Sequence, residues 1–160
     1  MTQASDLKGV TLSVAKAGLT AGTTSTYTTT AATACMIGGK FATALSVQTN
    51  TATPTTQGDG SAFTVVTPGQ VSVFVFCVVA GGTIAVFQGS VENLDDGNAV
   101  LIAPSFPAID LETYCPFGYA VVLNADTGSN WTFGSSSWGA AGITDTFTDV
   151  GTLPFRPQSA

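Results

Sequence analysis

The longest apolar run in the chain, Val71 to Ala80, is followed at Gly81-Gly82 by a second one, Thr83 to Val91. Two such runs flanking paired glycines read as the arms of a β-hairpin, because glycine supplies the positive φ that tight turns require. With the glycines as a two-residue loop, Val79 is expected opposite Ile84, Cys77 opposite Val86, Phe76 opposite Phe87 and Phe74 opposite Gly89. Side chains alternate along a strand, so this register sorts Val71, Val73, Val75, Cys77, Val79, Ile84 and Val86 onto one face. The other face receives Phe74, Phe76, Val78, Ala85, Phe87 and Val91. Both faces are apolar, with Ser72 the one polar residue on the aromatic side. A sandwich strand in a monomer ordinarily turns one face to water, so the second face needs a cover: another part of the chain, a second subunit or a larger partner. The expectation is a protein interface made by Phe74, Phe76, Val78, Phe87 and Val91.

The same punctuation continues elsewhere. Gly38-Gly39 predicts a shorter hairpin that places Ile37 opposite Lys40 and Met36 opposite Phe41. Strands are expected over Thr11 to Leu19, Ile109 to Tyr114, Ala120 to Asn124, Trp131 to Gly134 and Thr144 to Val150, with a threonine-dominated stretch around Tyr27 over Thr23 to Thr33. Threonine suits strands because its branched Cβ restricts χ1 in a helical turn. Thr49 to Ser61, Glu92 to Asn98 and Ala103 to Pro107 read as loops, the last because its prolines cannot donate to a ladder. No segment carries a sustained helical period. The expected fold is all-β, a single-domain antiparallel β-sandwich or jelly-roll over residues 11–160, preceded by a flexible arm over residues 1–10.

Charge narrows the functional classes. Only 9% of the 160 residues are charged, with four Lys or Arg against ten Asp or Glu and a net charge of −6. No two basic residues are adjacent, so the clustered cations that displace counterions from a phosphate backbone are missing and no nucleic-acid partner is expected. Residues 60–91 carry no charge, but Ser72, Thr83 and Gln88 interrupt the run, Gly81-Gly82 splits it, and no basic flank anchors it, so no membrane partner is expected either. Met1 to Val10 lacks the apolar stretch of a secretory signal, which points to synthesis in a cytoplasm.

Histidine is absent, which removes His-based triads, general bases and metal sites. Cys35, Cys77 and Cys115 are widely spaced with no CxxC, and read as buried thiols acting as small hydrophobes; a disulfide from one pair stays open. No cofactor and no metal are expected. Paired carboxylates remain. Asp95-Asp96-Gly97-Asn98 reads as a turn before it reads as a weak calcium loop. Asp110 and Glu112, two apart, would share a strand face, and Asp145 and Asp149 fit a solvated one. Trp131 and Trp138 lie in a Gly-rich segment, Gly128 to Gly142. Exposed, they could stack on sugar rings; the competing reading, favoured here, has them in the core or a subunit contact.

Several segments carry a resemblance. Tyr27-Thr28-Thr29-Thr30-Ala31-Ala32, Cys35-Met36-Ile37-Gly38-Gly39-Lys40, Pro116-Phe117-Gly118-Tyr119, Trp131-Thr132-Phe133-Gly134 and Thr152-Leu153-Pro154-Phe155-Arg156-Pro157 are similar to stretches of small virion structural proteins of tailed bacteriophages. The resemblance implies a compact β domain without catalysis: a capsid decoration or cement protein on the outside of the head, or a head-fibre component. It implies a major capsid protein as partner, assembly as a homo-oligomer (dimer or trimer) and a place in the virion. The alternative is a carbohydrate- or receptor-binding module of a phage tail or head fibre, using Trp131 and Trp138.

Overall fold

The computed structural model describes residues 9–96, 99–154 and 157. Within them the chain is all-β and its sheets are antiparallel. Ten strands follow one another: β1 Leu12–Ser13, β2 Thr20–Ala21, β3 Thr26–Thr28, β4 Cys35–Ile37, β5 Lys40–Phe41, β6 Thr51–Ala52, β7 Gln70–Val79, β8 Ile84–Asn93, β9 Tyr114–Asn124 and β10 Ile143–Asp149. A four-stranded sheet in the order β10-β9-β7-β8 forms the centre, and two three-stranded sheets, β1-β4-β5 and β2-β3-β6, complete a sandwich-like arrangement. The uncharged stretch over residues 60–91 is the β7–β8 hairpin and the loop before it.

The Gly38-Gly39 hairpin has the expected register, Met36 opposite Phe41 and Ile37 opposite Lys40. Both glycines have positive φ, 57° and 78°, as a two-residue type I′ turn demands. The larger hairpin differs by one residue. Val78 lies opposite Ile84, Cys77 opposite Ala85, Phe76 opposite Val86 and Val75 opposite Phe87. The Gly82 amide bonds Val79 O at 2.9 Å, the Val79 amide bonds Thr83 O at 2.9 Å, and Gly82 has φ 80°. The loop is therefore three residues, Ala80-Gly81-Gly82, a tight turn followed by a left-handed glycine, and that extra residue flips the β8 side chains from Ile84 to Gln88 to the other face, until the bulge restores the expected pairing of Val91 with Ser72.

The flip redistributes the core. Phe74, Phe76 and Val78 share one face with Ile84 and Val86, and are joined there by Tyr27, Cys35, Phe63, Cys115, Phe117, Trp131, Phe133 and Trp138. The opposite face collects Val71, Val73, Val75, Cys77, Ala85, Phe87, Tyr119 and Val121. Rings interlock on the first face: Phe74 stacks on Phe133 with centroids 4.8 Å apart, Trp131 meets Phe74 edge-on at 5.5 Å, and Trp138 lies 5.3 Å from Trp131. Such pairs contribute about 0.5–1.5 kcal/mol each beyond simple burial. The second face is covered by Leu94, Val100, Phe106 and Ile109 from the long β8–β9 connection and by Val150 and Leu153 after β10. Of the three possible covers, another part of the chain is the one that closes it.

Two bulges let the faces match. Between Ser72 and Phe74 the pairing with β8 shifts, and between Phe76 and Cys77 the pairing with β9 shifts, leaving Phe117 without an opposite residue. The second shift turns Cys115 and Phe117 onto the same face as Ala120 and Val122. Pro116 is tolerated inside β9 because β10 ends at the Asp149–Gly118 pair, so no strand on that side requires its missing amide.

Of the other expected strands, Ala120 to Asn124 lies within the longer β9 and Thr144 to Val150 matches β10, whereas three are shorter or absent. Thr11 to Leu19 does not run straight: Gly18, with φ 64°, bends the chain, and the Ala17 carbonyl accepts the amides of Thr30 and Ala31. Residues 110–113 form a turn that leads into β9 at Tyr114, since Asp110 O accepts the amides of Thr113 and Tyr114. Trp131 makes a single bridge to Val66 before the chain turns, with Thr132 O accepting the Ser136 amide at 2.9 Å. Residues 1–8 of the expected arm lie outside the described residues. Gly9 and Val10 are docked, with the Gly39 amide bonding Val10 O at 3.1 Å.

Gly89 sits at the β8 bulge, where the covering loop approaches: the Ser90 amide bonds Ser105 O at 3.0 Å, and a methyl group on Gly89 would lie 2.1 Å from that carbonyl oxygen. Gly89→Ala is expected to lower unfolding free energy by about 1–3 kcal/mol through overpacking. Phe74→Ala, opening the centre of the aromatic cluster, is expected to cost about 3–5 kcal/mol. Urea denaturation followed by tryptophan fluorescence checks both; a Phe74→Ala protein of unchanged midpoint would contradict the core described here.

Candidate functional site

Of the carboxylates that the sequence offers for chemistry, those of Asp110 and Asp149 serve the backbone. Asp95 bridges Ala99 through main-chain bonds of 2.8 and 3.1 Å, and Asp96 has φ 45°, a left-handed geometry that Asp tolerates in turns. Gly97 and Asn98 of that motif lie outside the described residues. Asp110 caps its turn: Oδ1 accepts the Glu112 amide at 3.0 Å and Oδ2 the Thr113 hydroxyl at 2.6 Å. The Thr113 hydroxyl and the Glu112 amide hold the Asp110 carboxyl below its ordinary range. Asp110 and Glu112 therefore belong to a turn and not to one strand face. Asp149 is not simply solvated: its two oxygens accept the amides of Gly18 and Leu19, each at 3.0 Å, fastening the bend before β2 to the end of β10. Asp145 is half-buried beside Val122, and burial raises its pKa.

Phe74, Phe76 and Val78 are fully buried inside one chain, and Phe87 is buried on the opposite face against Tyr114, 4.8 Å between ring centroids. The expected interface on this face is therefore corrected: four of its five residues are the chain's own core, and the hairpin register separates Phe87 from the other three. Val91, beyond the first bulge and opposite Ser72, is half-exposed. Trp131 and Trp138 are buried too, with indole N–H groups donating to Ser137 O at 2.9 Å and Thr26 O at 2.8 Å. Neither presents a ring face to a sugar, so the ligand-contact alternative is corrected and the core reading holds.

The three thiols are buried, and no disulfide joins them. The structure nevertheless brings together residues far apart in sequence: Cys35 and Cys115 are buried in one cluster, where β4 packs against β9. The neighbouring Cys115 thiol lowers the Cys35 pKa and Cys35 raises that of Cys115, while burial raises that of Cys77. Among the described residues no group of three His, Cys, Asp or Glu side chains is disposed to hold a metal ion.

Among the described residues Leu101 and Ile102 are exposed, and a second group of exposed apolar side chains lies in segments that meet at a cleft. Thr11, just before β1, links three segments there: its hydroxyl donates to Leu111 O at 2.6 Å and accepts the Gly38 amide at 2.9 Å. Gly9 lies against the Gly38-Gly39 turn, where a methyl group on Gly9 would collide with the Gly38 backbone. An open cleft of about 430 Å³ lies between them, lined by Gly9, Thr11, Gly38, Leu111 and Glu112. Each segment also carries a large exposed apolar side chain: Val10 at 58%, Phe41 at 75% and Leu111 at 49% exposure. A carboxylate at Glu112 is the ionisable group among these lining residues, so the cleft suits apolar docking better than proton transfer. Sequence reasoning missed this corner because the residues come from positions 9–11, 38–41 and 111–112. Its available signal was Phe41, an aromatic paired with Met36 next to a tight turn.

Comparison of the chain with protein-family models, with curated proteins and with solved structures finds no match.

Tyr27 provides a titration handle on the core. Burial pushes its phenol up from 10.0 to about 12. An unfolded chain would lose this proton first, so stability present below pH 10 is lost as pH rises from about 10 towards 12. Tyr27→Phe is expected to remove that alkaline loss. Urea midpoints of the two proteins at pH 8 and pH 11 test it, the prediction being a larger drop for the tyrosine form.

Proposed function

We propose that this protein is a non-enzymatic virion structural protein that decorates and stabilises the outside of a tailed-phage capsid. The observation that carries the reading is an open cleft lined by Leu111, with exposed Val10 and Phe41 in the two chain segments that supply Gly9, Thr11 and Gly38 to its lining, on a molecule whose other large aromatic side chains are mostly turned inward. A binding surface gains from apolar groups it can desolvate, and each unpaired buried charge would cost several kcal/mol. A chain with 9% charged residues keeps that cost low. Similarity of the segments around Tyr27, Cys35, Pro116, Trp131 and Thr152 to small phage virion proteins supplies the biological setting. The net charge of −6 favours a surface facing away from packaged nucleic acid.

On this reading the partner is a major capsid protein. The argument for a dimer or trimer began from the Phe74 face; with that face internal, contacts between copies would also use the corner. The sugar-binding alternative loses its residues with the burial of Trp131 and Trp138.

Purified protein mixed with DNA-free capsids is expected to co-sediment, and electron microscopy of particles carrying labelled protein is expected to place the label on the outer head surface. The double substitution Phe41→Ser with Leu111→Ser is expected to reduce capsid binding by tenfold or more, roughly the effect of losing two apolar contacts. Its thermal midpoint should stay close to that of the parent protein, since both side chains are exposed. Undiminished binding by a folded double variant would remove the corner from the proposal.

A further inference from the structure

We propose that Cys35 and Cys115 form an oxidative modification site, closed by a peroxide into a disulfide that ties the small β1-β4-β5 sheet to the central sheet. The two residues come from different sheets: Cys35 opens β4, opposite Ser13 of β1, and Cys115 lies in β9, opposite Val78. Both side chains are fully buried in the same cluster, and β4 packs against β9. Cys77, the third cysteine, belongs to the cluster on the opposite face of the central sheet. The fold thus selects one of the three conceivable pairs.

Access follows from the construction of the small sheet. Its strands are two, three and two residues long, so few ladder bonds hold it, and short units of this kind open locally at far lower cost than the whole domain unfolds. The partner strand β9 is eleven residues long and hydrogen-bonded on both sides. A small neutral oxidant such as hydrogen peroxide can enter through such an opening, where a protein-sized oxidant cannot. Cys35 is the attacking group, because it belongs to the small sheet that opens, whereas Cys115 stays in the eleven-residue β9. Its thiolate sulfur attacks one peroxide oxygen, the O–O bond breaks, and the departing hydroxide takes up the proton Cys35 released, leaving a sulfenic acid and one water. The Cys115 sulfur then attacks the Cys35 sulfur, the S–O bond breaks, and the leaving hydroxide takes the Cys115 proton as a second water. Two thiols lose two electrons in total, and one peroxide is reduced to two waters. The link would close about 80 residues of chain, a span over which a cross-link restricts the unfolded state strongly.

The folded protein is treated with hydrogen peroxide, free thiols are then alkylated in denaturant, and the chain is cleaved at aspartate, which separates Cys77 from Cys115. Mass spectrometry without reduction is expected to show the loss of two hydrogens, a single cross-linked pair holding Cys35 and Cys115, and alkylated Cys77. The thermal midpoint should rise and return on addition of dithiothreitol. Cys77→Ala is expected to keep the cross-link, whereas Cys35→Ala and Cys115→Ala lose it. Because the mapping uses the unsubstituted protein, it decides the matter even if a variant fails to fold. A cross-link involving Cys77, oxidation to sulfinic acid without a cross-link, or a lowered midpoint in the cross-linked protein would overturn the proposal.

Discussion

Strands β7 and β9 have no water-facing side, and that burial on both faces organises the rest of the molecule. Val71, Val73, Val75 and Cys77 point one way and Phe74, Phe76 and Val78 the other, all fully buried. Parallel sheets commonly meet this demand with layers of helices; here an antiparallel sheet meets it with short strands and loops. The price of using loops as a cover is that their backbone must approach closely and still satisfy its polar groups. Gly89 admits the Ser105 carbonyl, and Gly58 lies against the Phe87 ring, where a methyl group would come 2.4 Å from Cζ.

The exposed edge of β8 shows the same economy of means. An unpaired edge strand invites pairing with other chains, and here side-chain amides occupy part of it. The Gln88 amide group accepts from the Thr64 N–H at 2.7 Å and donates to Thr64 O at 3.0 Å, while Gln57 Oε1 accepts the Gln88 N–H at 2.8 Å. The Gly58 N–H continues the series by donating to Val86 O at 3.0 Å. The loop over residues 57–64 thus acts as a substitute strand, held by two glutamines rather than by a regular ladder. Asn124 plays a similar part at the far end of β9, donating to Val66 O and Ser129 O.

With most aromatic groups buried and part of the β8 edge covered within the chain, the cleft by Leu111 is a local recognition surface. The corner at Val10, Phe41 and Leu111 owes its geometry to the Thr11 hydroxyl, which holds two other segments at hydrogen-bonding distance. Its apolar exposure and the Cys35–Cys115 contact both depend on the β1-β4-β5 sheet, the thinnest part of the fold. Docking at the corner would therefore also restrain the element whose opening exposes the thiols.

The strand-forming character of the chain, the turn at Gly38-Gly39 and the need for a second cover over the central hairpin were all legible in residue order, because period-two burial and glycine punctuation are local properties. The face assignment of Phe87 was not. Gly81-Gly82 is compatible with a two-residue or a three-residue loop, and only the packing of Phe87 against Tyr114 and Gly58 on one side, with Val86 among the rings on the other, favours the longer loop. Likewise Asp110 looks like a strand residue until its carboxylate is seen capping a turn, and Asp149 looks solvated until the amides of Gly18 and Leu19 reach it from the other end of the chain. The tertiary structure decided which contacts join residues distant in sequence, since the spacing of Cys35, Cys77 and Cys115 carries no trace of which two thiols meet. Local sequence sets what each segment can become; the choice between near-equal local alternatives falls to the arrangement that buries both faces of the central sheet and leaves few polar groups unpaired.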